Sequence, residues 1–323
     1  MRAVQVRTHG GPEVLTPAEV PDPVPAAGEL LVEIAAAGVN FIDTYQRDGI
    51  YPMTLPYVPG LEGAGRVRAV GEGITDFAVG DRVAWCENLG SYAQLVAVRA
   101  AGAVPVPDGV SDELAVGALL QGMTAHFLVN DTYRVQPGDD VLVHAAAGGV
   151  GLLLTQLAAA KGARVIATVS TAAKEELARG AGAADVIRYT EVDDLAARVR
   201  ELTGGTGVAA AYDSVGRTTF DASLASVRKR GILVLFGAAS GPVPPVDPQR
   251  LNAAGSLFLT RPKLFDHIDT RESLTARAAG VYAAVLDGAL DVRIGHRYRL
   301  EKARTAHEDL QSRQTTGKLI LLP

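Results

Sequence analysis

The sequence predicts an α/β protein with two domains, one built on a doubly wound parallel sheet and the other rich in short strands. The chain has 323 residues, a length typical of two domains. Hydrophobic residues make up 48% and charged residues 21%, which is the balance of a globular protein. The residue pattern also changes along the chain, from short strands and turns to strands that alternate with helices.

Up to about residue 110 the pattern is one of short strands bounded by glycine or polar turn residues. Val4 and Val6 mark an opening strand, and further strands are predicted at GELLVEIAAAGVN, GAGRVRAVG, GDRVAW and SYAQLVAV. This spacing is typical of a barrel-like or sandwich-like domain. Ser111 is then a candidate N-cap for an Ala/Leu-rich helix that runs toward Val129.

From Asp140 the chain alternates strand and helix, which implies right-handed crossovers and a parallel sheet. The strand DVLVHA leads through a glycine turn into the helix VGLLLTQLAAAKG. The segments that follow are RVIATV (strand), TAAKEELARG (helix), DVIRY (strand), DDLAARVREL (helix), VAAAYDSVG, GILVLFG and SLFLT (strands). After Pro262 we expect a helix from Thr275 to Leu286, a strand at RYRL, a helix at ARTAHEDLQSR and a strand at KLILLP.

Composition excludes several classes of protein. The net charge of −5 disfavours general binding to nucleic acid or to an anionic membrane. No stretch approaches the ~18 apolar residues of a membrane span, and the charged N-terminus is unlike a secretion signal. One cysteine, Cys86, excludes an intrachain disulfide and a four-cysteine zinc site. The expected location is the cytoplasm.

The strongest local signal is the turn from His144 to Gly151, HAAAGGVG, between a predicted strand and a predicted helix. It fits the dinucleotide fingerprint as Ala146-x-Gly148-x-x-Gly151, with alanine in the first glycine position. Such a turn lets backbone N–H groups at the helix start approach a pyrophosphate. Glycine-rich turns also occur without a ligand, but the βα units downstream favour a nucleotide.

The end of the second strand of this domain predicts the phosphate state of the cofactor. An NAD site places Asp or Glu there to bind the ribose 2′-hydroxyl. Here the residues from Thr168 to Thr171 are TVST, and Lys174 follows one helical turn later. A hydroxyl-rich loop and a cation suit a 2′-phosphate, so we expect NADPH rather than NAD. The alternative is that Lys174 is an ordinary solvated helix residue.

No metal site or protein nucleophile stands out. The six histidines lack metal-ligand spacing, and His126 fits a structural role. His144 ends the first strand of the nucleotide domain, where its side chain either contacts the cofactor or fills the crevice at the strand ends. Cys86 lies in a strand-like context where a buried small side chain is the simpler interpretation. We find no G-x-S-x-G elbow and no Walker lysine motif. The chemistry is therefore expected to belong to the cofactor.

Taken together, these motifs resemble the medium-chain dehydrogenase/reductase superfamily, and most closely its zinc-free NADPH:quinone oxidoreductase branch. The resemblance covers nearly the whole chain and is carried by GVNFIDTY (38–45), PGLEG (59–63), GDRV (80–83), HAAAGGVG (144–151), YDSVG (212–216) and TRP (260–262). In zinc-dependent relatives Asn40 would be a ligand cysteine and Leu61 a ligand histidine. Their third ligand would fall near Leu120 or Gln121, and the cysteine-rich lobe of their structural zinc is missing.

The resemblance implies a GroES-like catalytic domain over residues 1–120, completed by 263–323, and a Rossmann domain over 121–262. It places four residues at the nicotinamide end of the cofactor: Asn40, Asp43, Tyr45 and Tyr51. The residues expected elsewhere around NADPH are Ala147, Gly148, Gly149, Val150 and Gly151 at the pyrophosphate, Ser170, Lys174, Tyr189 and Arg313 at the 2′-phosphate, and Phe236 and Gly237 near the nicotinamide. Without the resemblance, Asn40 and Asp43 would be a helix cap and its first turn, and the tyrosines core aromatics.

The function implied is zinc-independent hydride transfer from NADPH to a quinone, with Asn40, Tyr45 and Tyr51 as candidate donors to the acceptor oxygen. One alternative is an enoyl or alkenal reductase on the same scaffold. The other is a crystallin-like or RNA-binding protein, for which the basic cluster Arg293, Arg297, Arg299, Lys302 and Arg304 would be the contact surface. The apolar strands GILVLFG and SLFLT would leave a sheet edge that predicts a homodimer.

Overall fold

The computed structural model describes residues 1–323, which divide into two compact units. The split unit comprises Met1–Met123 and Ile268–Pro323, and the central unit comprises Thr124–His267. These boundaries lie a few residues beyond those expected from the sequence. The split unit is thus formed by an N-terminal and a C-terminal segment, and the central unit lies between them in sequence.

Fifteen strands and nine α-helices follow one another along the chain. The strands are β1 (Arg2–Gln5), β2 (Thr16–Glu19), β3 (Glu29–Val39), β4 (Gly63–Val70), β5 (Arg82–Trp85), β6 (Leu95–Arg99), β7 (Val104–Pro105), β8 (Asp140–Val143), β9 (Arg164–Val169), β10 (Asp185–Arg188), β11 (Val208–Asp213), β12 (Val227–Leu235), β13 (Phe258–Thr260), β14 (Ile294–Arg299) and β15 (Lys318–Leu322). The helices are α1 (Phe41–Arg47), α2 (Asp112–Phe127), α3 (Gly149–Ala160), α4 (Ala172–Gly180), α5 (Leu195–Leu202), α6 (Phe220–Ser226), α7 (Gln249–Ala253), α8 (Arg271–Leu286) and α9 (Ala303–Gln311).

The split unit is organised around a seven-stranded sheet in the order β14-β15-β3-β4-β5-β7, with β6 also paired to β3. The C-terminal strand β15 lies between β14 and β3, and Leu319 is in register with Val39. Trp85 and Tyr92 are among the largest fully buried side chains of its core. Strand β15 is thus an interior strand of a sheet whose first strand along the chain is β3.

The central unit contains a six-stranded parallel sheet in the order β10-β9-β8-β11-β12-β13. Its strands are almost wholly buried and apolar, as expected for a sheet covered by helices on both faces. Strand order reverses beside β8, so the carboxyl end of β8 is the place where this kind of sheet binds ligands. This confirms the predicted α/β class.

The ends of two helices depart from the sequence prediction. Ser111 does cap α2, since its hydroxyl accepts from the N–H of Leu114 at 3.2 Å, but the α-helix ends at Phe127 and continues as one π-helical turn. Helix α8 starts at Arg271, earlier than expected, because Thr270 and Ser273 form a capping box. Helix α1 corresponds to the alternative in which Asn40 and Asp43 are a helix cap and its first turn. None of the helices has the length and apolar character of a membrane-spanning segment.

The turn between β8 and α3 gives a stability prediction. A Cβ on Gly151 would overlap the carbonyl oxygen of Ala145 and approach Cα of Ala146, whereas a Cβ on Gly180 in α4 meets nothing within 4 Å. Gly151→Ala should therefore lower the free energy of unfolding by about 1–3 kcal/mol. The control Gly180→Ala should be neutral or raise it by up to about 1 kcal/mol. Urea unfolding of both variants measures this, and a Gly151→Ala protein as stable as the wild type would contradict it.

Candidate active site

Helix α1 is fixed at its start by a capping box. Asn40 is the N-cap residue, and the carboxylate of Asp43 accepts from the backbone N–H of Asn40 at 2.8 Å. This satisfies one of the N–H groups that a helix start leaves unpaired, and it places a carboxyl group at the positive end of the helix. The helix-cap interpretation of these two residues is therefore confirmed, and their expected place beside the nicotinamide stays a prediction.

A buried ion pair lies directly behind this cap. Glu62 and Lys318, 0% and 1% exposed, form a salt bridge between the segment before β4 and the start of β15. Asn40 joins them, because its Oδ1 accepts from Nζ of Lys318 at 2.9 Å and its Nδ2 donates to Glu62 at 3.0 Å. Oε1 of Glu62 also accepts from the backbone N–H of Leu120 at 2.8 Å. Asn40 is thus held by both charged side chains, and it is only 6% exposed to solvent.

Sequence reasoning missed Glu62 and Lys318 as members of this site. The available signal was a charged residue inside an apolar run, PGLEGAG for Glu62 and KLILL for Lys318, since buried charges of this kind require a partner. Gly38 shows how tightly they pack, because a Cβ there would overlap both side chains. The pairing itself joins residues 256 positions apart, which no local pattern reveals.

Tyr45 and Tyr51 lie on the accessible side of this segment rather than in the core. Tyr51 is 42% exposed, and its ring packs edge-on against Tyr45 with 5.8 Å between centroids. The N–H of Tyr51 also donates to the carbonyl of Tyr45 at 3.2 Å. Phe41, one turn earlier, is 6.4 Å from Tyr45 between ring centroids. Three aromatic rings therefore follow one another along α1 and the segment just after it, and the alternative that the tyrosines are core residues is wrong for Tyr51.

In the central unit, helix α3 begins without a side-chain cap. Gly148 is its N-cap, and no side chain accepts from the first N–H groups, which belong to Gly149, Val150 and Gly151. A Cβ on Gly148 would come within 3.2 Å of the carbonyl oxygen of Ala145, so the turn leaves little room for a side chain. An uncapped helix start lined by glycine at the end of β8 fits the phosphates of a dinucleotide.

Below this turn, His144 fills the interior instead of pointing to a ligand. Its Nδ1 lies 2.9 Å from the hydroxyl of Thr168, and its Nε2 lies 2.9 Å from the hydroxyl of Ser223. Ser223 donates to the carboxylate of Asp213 at 2.6 Å, so its oxygen accepts from Nε2–H of the histidine. Burial lowers the pKa of His144. This network, with His144 neutral, ties the carboxyl ends of β8, β9 and β11 together.

The residues expected around the 2′-phosphate are only partly brought together. Ser170 and Tyr189 follow the adjacent strands β9 and β10, and the hydroxyl of Thr190 donates to the carbonyl of Ser170 at 3.2 Å. Tyr189 is 43% exposed. Lys174 lies in the first turn of α4, where partial burial lowers its pKa. Arg313 belongs to the split unit and follows α9 with a φ of 61°.

Phe236 and Gly237 directly follow β12, which ends at Leu235, two residues before the predicted end of the strand. The N–H of Phe236 donates to the carbonyl of Asp213 at 2.9 Å, and a Cβ on Gly237 would overlap the backbone of Ser214. The carboxyl ends of β11 and β12 are thus packed closely. Ala147 is 2% exposed, so it supports the glycine turn from inside.

Two further sequence features have structural explanations. Cys86 is 1% exposed, and burial raises the pKa of its thiol well above the usual value, which confirms a buried small side chain. In the basic cluster, Arg297 pairs with Glu113 at 2.7 Å and Arg304 with Glu308 at 2.8 Å. Acidic neighbours therefore offset part of the positive charge that RNA binding would use. No group of three or more His, Cys, Asp or Glu side chains is arranged to hold a metal ion.

Two family models match the chain: an alcohol dehydrogenase GroES-like domain over residues 26–108 and a zinc-binding dehydrogenase domain over residues 149–269. With the glycine turn and the parallel sheet, they define a two-domain dehydrogenase of the medium-chain class. A quinone oxidoreductase of Salmonella typhimurium is 45% identical over 99% of both chains. The chain belongs to the quinone oxidoreductase family.

Solved structures agree with this placement. A mycobacterial protein complexed with NADPH is 55% identical, with a TM-score of 0.97 over 100% of both chains. An Escherichia coli quinone oxidoreductase complexed with NADPH is 43% identical, also with a TM-score of 0.97 over 100% of both chains. A 2-haloacrylate reductase from Burkholderia is 40% identical over 99% of this chain and 98% of its own. The family thus includes proteins named for quinones and for an activated double bond.

The buried pair predicts the effect of Lys318→Met. The substitution leaves Glu62 buried without its cation, so the free energy of unfolding should fall by about 3–5 kcal/mol. The double variant Glu62→Gln/Lys318→Met removes the stranded charge and should recover much of that loss. Urea unfolding distinguishes these outcomes. If Lys318→Met alone lowers the free energy of unfolding less than the double variant does, the two side chains are not an interacting buried pair.

The two buried histidines give a pH dependence of stability. Burial lowers the pKa of His144, and burial together with Arg47 lowers that of His307 to about 3. Below about pH 6.5 the unfolded chain takes up these protons while the folded chain does not. The free energy of unfolding therefore decreases as the pH is lowered. Asp43, whose pKa burial raises to about 7, acts in the opposite sense between pH 7 and 4.

His307→Gln isolates one of these contributions. It should reduce the slope of unfolding free energy against pH between pH 6 and 4 by about 1.4 kcal/mol per pH unit, the value for one proton. His296→Gln, at an exposed histidine of β14, should leave the slope unchanged. Urea unfolding across this range is the measurement. Equal slopes in all three proteins would show that His307 is protonated in the folded state.

Proposed function

We propose that this chain is an NADPH-dependent quinone oxidoreductase that works without a bound metal. The cofactor assignment rests on one observation above the others, the uncapped glycine-lined start of α3 at the carboxyl end of β8. The acceptor assignment rests on full-length relatives named quinone oxidoreductase, at 43–45% identity. The overall change is NADPH + quinone + H⁺ → NADP⁺ + hydroquinone.

The residues of the central unit bind and orient the cofactor in this proposal. Gly148, Gly149 and Val150 present backbone N–H groups to the pyrophosphate, where the dipole of α3 favours anions. Ala147 and Gly151 allow the close turn, and Phe236 and Gly237 border the nicotinamide. Ser170, Lys174 and Tyr189 contact the 2′-phosphate. Bound NADPH supplies the hydride.

In the split unit, Tyr45 and Tyr51 supply hydrogen-bond donors to the acceptor oxygen as negative charge develops on it. Their exposed edge and the neighbouring Phe41 form an apolar surface that suits a planar ring. Asn40 and Asp43 act one step further back, because they hold the start of α1. Since a hydroquinone oxyanion is a stabilised phenolate, protonation needs no strong side-chain acid.

The side chains at the position where zinc-dependent relatives bind the metal are not suited as zinc ligands. Asn40 is an amide bound by Lys318 and Glu62, Leu61 is apolar, and Gln121 donates to Asn40 at 3.4 Å. An ammonium group beside this site also opposes a second cation. We therefore propose that hydride transfer here survives a chelator.

The second candidate is reduction of an activated carbon–carbon double bond, which the 2-haloacrylate reductase relative favours. NADPH oxidation followed by its absorbance distinguishes the two, with 1,4-benzoquinone, 9,10-phenanthrenequinone or a 2-alkenal as acceptor. The proposal expects quinone-dependent oxidation that persists in EDTA. Turnover of the alkenal alone would assign the double-bond reaction instead.

We also propose a cytoplasmic homodimer. Strand β13 is the edge of the six-stranded sheet, and Phe258 on it is 61% exposed, so a second copy could pair there. A lone buried cysteine suits a reducing compartment. Light scattering at micromolar protein should give twice the chain mass of 33.6 kDa, and a monomer mass would refute the dimer.

The role of Lys174 gives a specificity prediction. Lys174→Gln removes a cation from the proposed 2′-phosphate site and should raise KM for NADPH by about tenfold, equivalent to about 1.4 kcal/mol. KM for NADH should change little because NADH lacks that phosphate. The control Lys263→Gln, at a lysine 65% exposed in the same unit, should leave both values unchanged. Equal effects on NADPH and NADH would place Lys174 elsewhere.

A further inference from the structure

A chain of four buried side chains runs behind α1 and takes no part in the proposed contacts with cofactor or acceptor. Nη1 of Arg47 lies 3.0 Å from Nδ1 of His307, and Nε2 of His307 lies 3.0 Å from the hydroxyl of Tyr92. That hydroxyl lies 3.0 Å from Oδ2 of Asp43. All four side chains are at most 1% exposed. The chain joins both ends of α1 to α9 and to the segment before β6.

Arg47 gives this chain a single direction. A guanidinium can only donate, so Nδ1 of His307 must accept. Neutral His307 then carries its one proton on Nε2 and donates to Tyr92, whose hydroxyl proton is left to donate to Asp43. The reverse direction would place an N–H of His307 against the guanidinium of Arg47. Burial and Arg47 also keep His307 neutral by lowering its pKa to about 3.

The direction decides where Asp43 can take up a proton. Its Oδ2 already accepts from Tyr92 and from the backbone N–H of Asn40, so a proton there would face two donors. Its Oδ1 is buried with no hydrogen-bond partner, as is the hydroxyl of Tyr57. Oδ1 is therefore the open protonation position of the network.

The charged and titratable groups facing Asp43 come from several elements. Lys318 of β15 favours the carboxylate, and Glu62 before β4 opposes it, while burial is the largest effect and raises the pKa of Asp43 to about 7. Tyr57 faces Asp43, and it also faces Arg47 and Asp48 at the end of α1. Arg47 is further held by Asp48 and by Gln311 of α9. The carboxyl group of Asp43 thus changes charge within the physiological pH range, while the side chains around it are held by their own hydrogen bonds.

We propose that Tyr92 and His307 are positioning residues for the reaction: their one-way hydrogen bonds hold Asp43 as the acceptor that caps α1, so the protonation of Asp43 sets how firmly Tyr45 is presented to the acceptor. This inference rests on the proposed function. The ionised carboxylate accepts charge-assisted hydrogen bonds from Asn40 and Tyr92, which are stronger than those to the neutral acid. The start of α1 is therefore held more firmly above the pH at which half of Asp43 is ionised (the midpoint) than below it.

Gly60 shows that the position of Tyr92 is built into the backbone. Gly60 has a φ of +91°, and a Cβ on it would overlap the ring of Tyr92. The ring also packs edge-on against His307, with 5.8 Å between centroids. Both partners are fixed in orientation, so a change in the network is passed to α1 and is not absorbed by side-chain rotation.

The test is the pH profile of kcat/KM for 1,4-benzoquinone at saturating NADPH. In the wild type it should rise about ninefold from pH 6 to 8, since the ionised fraction of a group with a midpoint near 7 rises from roughly 10% to 90%. Asp43→Asn should give a flat profile. Tyr92→Phe and His307→Leu should move the midpoint to higher pH, because the carboxylate loses a donor or its polarisation.

Two variants separate positioning from simple structural support. His307→Gln keeps one acceptor and one donor on its amide, so it should keep the wild-type midpoint. Tyr298→Phe removes another tyrosine–aspartate hydrogen bond on α9, the one to Asp309 at 2.7 Å, and should also keep it. If folded Tyr92→Phe and His307→Leu proteins retain the wild-type midpoint, the positioning role is overturned.

Nitrogen-15 NMR of labelled histidine tests the chain without any acceptor, with the His307 signal assigned by its loss in His307→Gln. The expected result is a neutral Nε2–H tautomer throughout pH 6 to 8, and an Nδ1–H tautomer or a protonated ring would overturn the chain. A wild-type protein that shows this tautomer and binds NADPH but turns over no quinone overturns the proposed function and the positioning role together. Normal turnover with unchanged midpoints overturns the positioning role alone.

Discussion

The salt bridge between Glu62 and Lys318 is the interaction on which the split unit depends. Each charge is almost wholly removed from water, so neither can be buried without the other. Lys318 begins β15, and the pairing of β15 with β3 brings the end of the chain into the sheet formed by its first third. Asn40, held between the two charges, is where β3 ends and α1 begins. One ion pair therefore fixes both the closing strand and the helix that carries Tyr45.

The central unit also buries a charged group, but it stabilises that group with hydrogen bonds instead of an ion pair. Asp213 is buried, and its carboxylate accepts from the hydroxyls of Thr219 and Ser223 and from two backbone N–H groups. Through Ser223 it orients His144, which in turn accepts from Thr168. Three strand ends are tied together at the edge where the glycine turn begins. A turn that leaves its own N–H groups unsatisfied for a ligand is supported by a fully satisfied layer beneath it.

The parts of the molecule that follow from local pattern were predictable. Alternation of apolar strands and capped helices gave the parallel sheet, and the spacing of Gly148 and Gly151 after β8 gave the turn. The capping box at Asn40 and Asp43 was one of two interpretations that the sequence left open. It is local, since both residues lie within one helical turn, and the structure confirms it. The extent of α2 and α8 was misjudged where a cap or a π-turn decides the end.

The buried networks could not be predicted, because their members are distant in sequence. His307 meets Tyr92 across 215 positions and Arg47 across 260, and no periodicity relates them. What the sequence offers is only the anomaly of Glu62 and Lys318 within apolar runs. The partners follow from the topology, which places β15 beside β3 and α9 behind α1.

The proposed reaction at this site is hydride transfer from NADPH to a quinone without a metal. The most direct measurement is a single-turnover experiment on protein stripped of metal, with NADPH deuterated at the transferred position and 1,4-benzoquinone as acceptor. We expect quinone-dependent oxidation that is slower with the deuterated cofactor and unchanged by added Zn²⁺ or EDTA. Absence of oxidation in the stripped protein, restored by Zn²⁺, would contradict it.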